Sequence, residues 1–280
     1  MFGFSEQYGL WCSVLCWGML WVLYLSYVNL GQLFYGYGWE SLLLETGFLA
    51  IFLGDQKTGV PILIIWLLRF VCFKNMLGAG LIKLRGDPAW KDKTALYYHF
   101  ETQPIPNPMS IYFHNLPKPI LRMGVTINHF VEIIIPFFCL FPGLLGVIGG
   151  TIVILFQITL IISGNLSWLN YISIVLCIPC IDDTWWQLIV RPETLDYKPL
   201  SSWLWAVVPN IIGLFLIYRN YHPARNLFSD HQSMNRSYDT LHLCNTYGAF
   251  GSVTQIRHEL VIMGTQEKTP TEDSNWKEYL

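Results

Sequence analysis

Runs of apolar residues long enough to cross a membrane alternate with polar segments along this sequence. Residues 9–30 contain no charged side chain, and about 20 apolar residues suffice to span the hydrocarbon of a bilayer as a helix. A second run covers residues 60–83, and further apolar runs cover residues 129–149, 151–181 and 203–218. The pattern predicts an all-α polytopic membrane protein with about five to six hydrophobic helices.

Charged side chains interrupt two of the apolar segments. Glu40 and Glu45 divide the segment after the first run, which favours a half-buried or interfacial helix there. Arg69 and Lys74 lie well inside the second run, where a charge costs several kcal/mol unless it is paired or reaches water. Glu40, Glu45 and Glu132 are the carboxylates that could pair with them, but we favour a tilted helix whose two cations snorkel to one interface.

Prolines and a small polar motif break the later runs. Pro136 and Pro142 predict kinks in the run over 129–149. The motif SGN at residues 163–165 divides the next run, which is either one long tilted helix or two short helices that meet at a buried turn.

A long polar segment, residues 84–127, separates the two halves of the hydrophobic pattern. It far exceeds the usual connection of about 4–6 residues, and loops of that length are usually functional or disordered. Its aromatic content argues against disorder. Within it, HFETQPIPNP at residues 99–108 should be stiff, because each proline restricts itself and its predecessor to extended backbone. This stretch is either a spacer that braces the helices or a preorganised surface for a partner, and we favour bracing.

Beyond His222 the chain becomes hydrophilic, and residues 258–263 partly alternate polar with apolar, which suggests strands at the start of a soluble, β-rich domain. YGYGWES at 35–41 and NTYGAFGS at 245–252 alternate glycines with aromatic residues, which serves either a turn or a close backbone contact; we favour the turn. The sequence predicts four regions. Residues 1–83 form N-terminal transmembrane helices, with an interfacial segment at 38–53, and residues 84–127 form a polar inter-helix loop. Residues 128–218 form C-terminal transmembrane helices, and residues 219–280 begin an incomplete soluble domain.

Composition supports a membrane protein and excludes several other classes. The chain is 53% hydrophobic and 13% charged, with a net charge of −2 and no basic stripe, so a nucleic-acid partner is excluded. No GxSxG, P-loop or GxGxxG motif is present, and no cofactor is predicted. Cys177 and Cys180 have the spacing of a redox motif but follow an apolar run, which disfavours a redox role. Asn235 begins a glycosylation sequon in the hydrophilic tail; Asn165 begins a second one in an apolar region, where we expect no glycan.

Two histidines and two glutamates are candidates for acid–base or metal chemistry. His99 and Glu101 are two residues apart, and His129 and Glu132 are three apart, which brings only the second pair onto one helical face. A membrane-embedded acid–base or metal site could use these four, as the alternative to a non-catalytic protein. The simpler interpretation is that His129 and Glu132 lie at a membrane boundary and bond to loop backbone.

Six segments occur in an order that resembles the lipase maturation factors, a family of polytopic membrane proteins. They are GWESLLLETGFL (38–49), LGAGLIKLRGDPAW (77–90), HFETQPIPNP (99–108), NHFVEIIIPFF (128–138), SGNLSWLN (163–170) and NTYGAFGSVT (245–254). The resemblance implies a non-enzymatic protein of the endoplasmic reticulum membrane with a lumenal carboxy-terminal region. It also implies a segment before this chain and a longer lumenal domain after it, so that the chain is expected to be truncated at both ends.

The resemblance further implies a function and partners. The expected role is to help homodimeric secreted lipases, such as lipoprotein lipase, hepatic lipase and endothelial lipase, to fold, assemble and leave the cell, together with other folding factors. The family has no established catalytic residues, so we expect structural or client-contact roles for residues of the shared segments: Trp39, Glu40, Glu45, Arg85, Asp87, His99, Glu101, Gln103, Asn107, Asn165, Asn245, Tyr247 and Gly248.

Overall fold

The computed structural model describes residues 9–54, 58–188 and 203–279, and this part of the chain is mostly helical. The α-helices are α1 Leu10–Gly31, α2 Gly38–Ala50, α3 Ile62–Arg85, α4 Pro88–Lys91, α5 Leu96–Thr102, α6 Ser110–His114, α7 Lys118–His129, α8 Ile135–Cys139, α9 Leu144–Ser163, α10 Leu169–Cys177, α11 Asp183–Trp186, α12 Trp203–Arg219 and α13 Tyr221–Leu227. Short 3-10 turns cover Gln32–Tyr35 and Ile178–Cys180, a π-helical turn covers Phe130–Ile134, and β1 Met263–Gly264 pairs antiparallel with β2 Lys277–Glu278.

Four helical segments are long and apolar enough to cross a membrane, and two shorter apolar helices accompany them. The long ones are Leu10–Tyr35, Ile62–Arg85, Lys118–Cys139 and Leu144–Ser163, and the shorter ones are Leu169–Cys180 and Val207–Arg219. The predicted all-α polytopic fold is confirmed. The chain is a multi-pass membrane protein whose central helix is α3, since 67% of its most apolar window is buried against the other elements.

The third span lies earlier in the sequence than predicted. It starts at Lys118, inside the segment expected to be a loop, and ends at Cys139. Its first three turns resemble loop sequence because they are strongly amphipathic, with Leu121 and Val125 buried while Arg122 and Thr126 are exposed. Residue 142 does not kink this helix: the chain turns there, and Gly143 adopts a left-handed backbone (φ 73°) that begins α9.

The SGN motif separates two helices, as in the second of the two predicted alternatives. Helix α9 ends at Ser163 and α10 begins at Leu169, with Ser163 and Gly164 buried in the turn between them. Three further short helices, α4, α5 and α6, lie in the segment that was predicted to be a polar loop.

The carboxy-terminal residues that the structure describes are mostly extended and irregular. The predicted strand over 258–263 is present only at its last residue, Met263, which pairs with Glu278 in a two-stranded ladder. One isolated bridge joins Ser237 to Asn245. The described tail thus contains little strand, and part of its backbone bonds to the helical part of the chain, as the Gly251 carbonyl does to the Asp87 amide.

Several contacts place the tail, residues 228–279, on one side of the helical bundle. The Asp87 amide just after α3 donates to the Gly251 carbonyl at 2.9 Å. Arg257 of the tail donates to the carbonyl of Gln103, whose side chain accepts from the Asn165 amide just after α9. Arg219 at the end of α12 donates to the Tyr238 carbonyl at 3.0 Å. The ends of α3, α9 and α12 thus share this side with the tail. We call it the tail side.

Candidate functional site

The first candidate site is a buried polar network that joins the tail to α2 and α3. Lys74 of α3 is 1% exposed and pairs with Glu45 of α2, while its ammonium also donates to Asn220 Oδ1 at 2.8 Å. Asn245 Nδ2 and the Tyr247 hydroxyl both donate to the other Glu45 oxygen, at 3.0 and 2.6 Å. Each charge is therefore neutralised and hydrogen-bonded, as burial of an ion pair requires.

Burial also changes the acidity of the tyrosine in this network. The pKa of Tyr247 is raised well above its ordinary value, first by burial and then by the adjacent Glu45 carboxylate. The hydroxyl therefore stays protonated at physiological pH and donates to Glu45. Tyr247 acts as a hydrogen-bond donor in this network.

The interior cations do not snorkel, so that prediction was wrong. Lys74 pairs with Glu45, which was one of its candidate partners, whereas Arg69 reaches Asp182 at 3.3 Å and the Pro179 carbonyl at 2.8 Å. Asp182 was not among the candidate partners that we named. It lies 113 residues from Arg69 in the sequence, and the fold brings the two side chains together.

The tail lies closely against α3 along the glycines of that helix. Tyr247 and Gly251 place their carbonyl oxygens where a Cβ on Gly78 or Gly86 would overlap them. Gly248 and Gly251 do not have the left-handed φ that a glycine turn would need. The glycines of NTYGAFGS therefore allow close contacts, and the turn interpretation that we favoured was wrong. The absence of a side chain on Gly78 and Gly86 allows the backbone of the tail to approach.

Residues after α3 fix the same stretch of tail. Asp87 begins α4 by accepting from the Ala89 amide at 2.8 Å, and its second oxygen accepts from the Val253 amide at 3.1 Å. The Trp90 indole donates to the Phe250 carbonyl at 2.8 Å. Arg85 donates to the Leu227 carbonyl and to Gln232, each at 2.8 Å.

A second buried ion pair lies where α3 meets the π-helical turn. Lys83 bonds to both oxygens of Glu132, at 2.5 and 2.6 Å, and to Asn128 Oδ1 at 3.2 Å. In an α-helix the carbonyl of Glu132 would accept from residue 136, but Pro136 has no amide hydrogen, which accounts for the wider turn at this position. Gly80 allows α3 and the π-helical turn to approach each other, since a Cβ on Gly80 would lie only 2.9 Å from the Cβ of Glu132.

The HFETQPIPNP stretch holds the turn between α9 and α10. Asn107 Nδ2 lies 3.0, 2.9 and 3.0 Å from the carbonyl oxygens of Ile161, Ile162 and Gly164, and so occupies the carbonyl groups that the end of α9 leaves free. Gln103 accepts from the Asn165 amide at 3.1 Å. This geometry supports the bracing interpretation.

We expect Asn107→Ala to destabilise the protein by about 0.5–1.5 kcal/mol, because the carbonyl groups at the end of α9 lose a shared, half-buried donor. Denaturant titration of the detergent-purified protein would measure the effect. Asn115→Ala is the matched control, since Asn115 is exposed and bonds only to the Ile111 carbonyl of its own helix. Equal stability of the two variants would contradict the bracing role.

The four residues of the acid–base hypothesis have separate partners. His99 packs its ring edge on Phe250 with centroids 5.1 Å apart, and burial followed by the nearby Lys83 charge lowers its pKa to about 4. Glu101 is exposed and lies 3.3 Å from His114. His129 bonds to the Trp90 carbonyl at 3.0 Å, as the simpler interpretation predicted, but Glu132 pairs with Lys83 instead of loop backbone.

The remaining predicted residues lie near α2. Glu40 is buried and accepts from the Tyr24 hydroxyl and from Trp39 Nε1, the latter at 3.0 Å. Trp39 stacks on Tyr37. Asn235 is exposed, its Oδ1 accepts from the Gly248 amide at 3.3 Å, and its side chain covers Gly38.

Three buried cysteines form the one group of His, Cys, Asp or Glu side chains, within the described ranges, that could share a metal ion. The sulfur atoms of Cys72, Cys139 and Cys180 lie within 4.8 Å of one another. Thiolates are soft ligands, but this core is apolar, and loss of three protons there would be costly. Cys177 also packs here, 3.9 Å from Cys72 between sulfur atoms, and all seven cysteines carry free thiols.

The profile described as "Lipase maturation factor transmembrane domain" matches residues 3–188. The chain belongs to the lipase maturation factor family. It is 39% identical to lipase maturation factor 1 of Mus musculus over 93% of this chain and 50% of the relative, and 40% identical to that of Bos taurus over 93% and 51%. Lipase maturation factor 2 of Xenopus laevis is 40% identical over 64% of this chain and 27% of the relative. The chain thus spans about half the length of the factor 1 relatives.

The family match confirms the resemblance that the six ordered segments indicated, and no solved structure matches the chain. Sequence reasoning missed Lys83 and Asn128, which complete the Glu132 network, and Asn220, which completes the Lys74 network. The sequence could have indicated these three residues. Each is polar and lies at or beside a predicted membrane segment, where a polar residue without a partner costs free energy.

Proposed function

We propose that the chain is the membrane-embedded part of a non-catalytic factor that assists the folding, dimer assembly and secretion of homodimeric secreted lipases. The clients that we propose are lipoprotein lipase, hepatic lipase and endothelial lipase, and the location is the endoplasmic reticulum membrane. The observation that carries the proposal is similarity of 38–40% identity over 93–95% of the chain to relatives named lipase maturation factor 1.

The attachment of the tail to the bundle supports this role. Buried contacts of Glu45, Asn245 and Tyr247 hold the tail against the membrane helices, and they suit a unit that keeps a lumenal region close to the bilayer. Farther along the tail, Leu260 and Ile262 are 99% and 69% exposed, and apolar side chains presented in this way suit contact with a folding client.

The proposed orientation puts the tail side in the lumen, and a glycosidase shift tests it. The exposed Asn235 lies on the tail side, and so does Asn165, in the turn that follows α9. A mobility shift on glycosidase treatment that is lost in Asn235→Gln, or only when Asn165→Gln is added, would support a lumenal tail. Cleavage of the tail by protease from the cytosolic side, with no shift, would contradict it.

A chimera tests the role in lipase maturation. In cells that lack lipase maturation factor 1, we would replace the matching part of the mouse relative with this chain and co-express lipoprotein lipase. We expect secreted lipase activity and the dimeric fraction of lipase to recover to levels near those with the intact mouse protein. A chimera that is expressed and membrane-inserted, yet leaves lipase inactive, would contradict the proposal.

A further inference from the structure

A large cavity lies among α3, α7, α9, α10 and the segment that holds α5. Its volume is about 1210 Å³, which exceeds the ~300–1,000 Å³ typical of small-molecule sites. Aliphatic and aromatic side chains form most of its wall, with Ile120 and Leu121 from α7 and Phe156 and Leu160 from α9 among them. The cavity therefore has the size and the surface for a hydrocarbon chain.

The cavity has an apolar mouth between two helices that can cross the membrane. Met123 and Ile127 of α7 and Leu155 of α9 all line it, yet they are 56%, 47% and 60% exposed. On membrane-crossing helices such exposed apolar side chains face lipid. The mouth therefore connects the cavity with the hydrocarbon of the bilayer, and a lipid could enter from the side.

The charged side chains that line the cavity, among the described residues, neutralise each other. Lys83 and Glu132 are its charged residues, and they pair with each other at 2.5 Å while both are buried. His99 also lines the cavity, and its lowered pKa of about 4 leaves it neutral at physiological pH. An ionic head group would meet no free charge of opposite sign here, which favours an uncharged one.

One buried polar group in the wall has no hydrogen-bond partner within the described chain. Gln157 of α9 is 4% exposed, and its amide nitrogen donates to the sulfur of Met76 at 3.4 Å. Its carbonyl oxygen has no donor within the described chain, although it is buried and Gln157 lines the cavity. A buried acceptor without a partner costs free energy, and a hydroxyl group of a ligand would satisfy it.

We propose that the cavity binds one uncharged acyl lipid whose head carries a free hydroxyl, such as a diacylglycerol, with that hydroxyl donating to Gln157 Oε1. Lipid tails are as apolar as the cavity wall, so transfer of the acyl chain from the bilayer gives little selectivity. Selectivity must therefore come from the head group, and Gln157 provides it. This binding goes beyond the proposed role with lipases and does not depend on it.

Native mass spectrometry of the full 280-residue chain in detergent micelles tests the proposal, with three probes titrated separately. They are dioleoylglycerol, its acetylated form without a free hydroxyl, and dioleoylphosphatidylcholine. We expect one dioleoylglycerol per chain, bound about tenfold more tightly than the acetylated form, as for one hydrogen bond to a buried acceptor. Gln157→Leu should abolish this difference, and Leu160→Trp should weaken binding of all the probes by filling the cavity.

Gln157→Leu is expected to fold as well as the parent, since it removes an unpaired buried acceptor and keeps a similar volume. Gln187→Leu is the matched control, because Gln187 is exposed at the end of α11 and should leave lipid binding unchanged. Equal affinity for dioleoylglycerol and its acetylated form, tighter binding of the phosphatidylcholine, or binding that Leu160→Trp leaves intact would each overturn the proposal.

Discussion

Lys74→Met is expected to lower the free energy of unfolding by about 3–5 kcal/mol, because it leaves the Glu45 carboxylate buried without its cation. Lys74 and Glu45 are 1% and 3% exposed, so water cannot replace the lost partner. The same change removes the bond to Asn220 and leaves Asn245 and Tyr247 attached to an uncompensated charge. Thermal and denaturant unfolding of the detergent-purified protein would measure the loss.

Two further variants separate the ion pair from general effects of the substitution. Lys91→Met removes an exposed lysine of α4 and should change the stability little, as surface substitutions usually do. The double variant Lys74→Met with Glu45→Leu removes both charges, so it should be more stable than Lys74→Met alone. If Lys74→Met and Lys91→Met unfold alike, the buried pair does not stabilise the fold in the way that we infer.

Gly78→Ala is expected to detach the tail from α3, because the added Cβ would overlap the carbonyl oxygen of Tyr247. A backbone atom cannot rotate away as a side chain can, so the cost should be about 1–3 kcal/mol, which exceeds the gain of about 1 kcal/mol in helix propensity. Hydrogen exchange should show faster exchange of amides over residues 245–253. The melting temperature should also fall.

Gly18→Ala is the matched control for this prediction. A Cβ on Gly18 of α1 would have no neighbour within 4 Å, so the same change of residue there tests helix propensity without overlap. We expect exchange in the tail to stay as in the parent chain. Unchanged exchange over residues 245–253 in Gly78→Ala would show that the tail does not depend on contact with this face of α3.

The length of the apolar runs predicted the membrane helices well and their boundaries less well. The run containing α3 was predicted to within two residues at each end, since apolar residues fill the stretch between Ile62 and Arg85 apart from Asn75 and three buried cations. The third span was placed about ten residues too late, because α7 is amphipathic and its polar residues resemble loop sequence. Its polar residues Arg122 and Thr126 are exposed, whereas Leu121 and Val125 are buried against the rest of the protein.

The candidate residues were found as motifs, whereas their roles were not. Gln103 and Asn107 were singled out for their position among prolines, and the structure shows them bonded to the turn after α9. Asn245 and Tyr247 were singled out beside glycines, and they bond to Glu45 about 200 positions earlier. Short motifs reveal unusual residues, but a hydrogen-bond partner distant in sequence is known only from the fold.

The sequence by itself determined that this is a polytopic helical membrane protein of the lipase maturation factor family, because span length and ordered segments are local properties of the chain. Only the tertiary structure decided which charges are paired, that the tail docks on the glycines of α3, and that α7 and α9 enclose a cavity around Gln157. The reason is physical: an apolar run must lie in lipid wherever it occurs, whereas a buried charge or amide is tolerated only where a distant partner meets it.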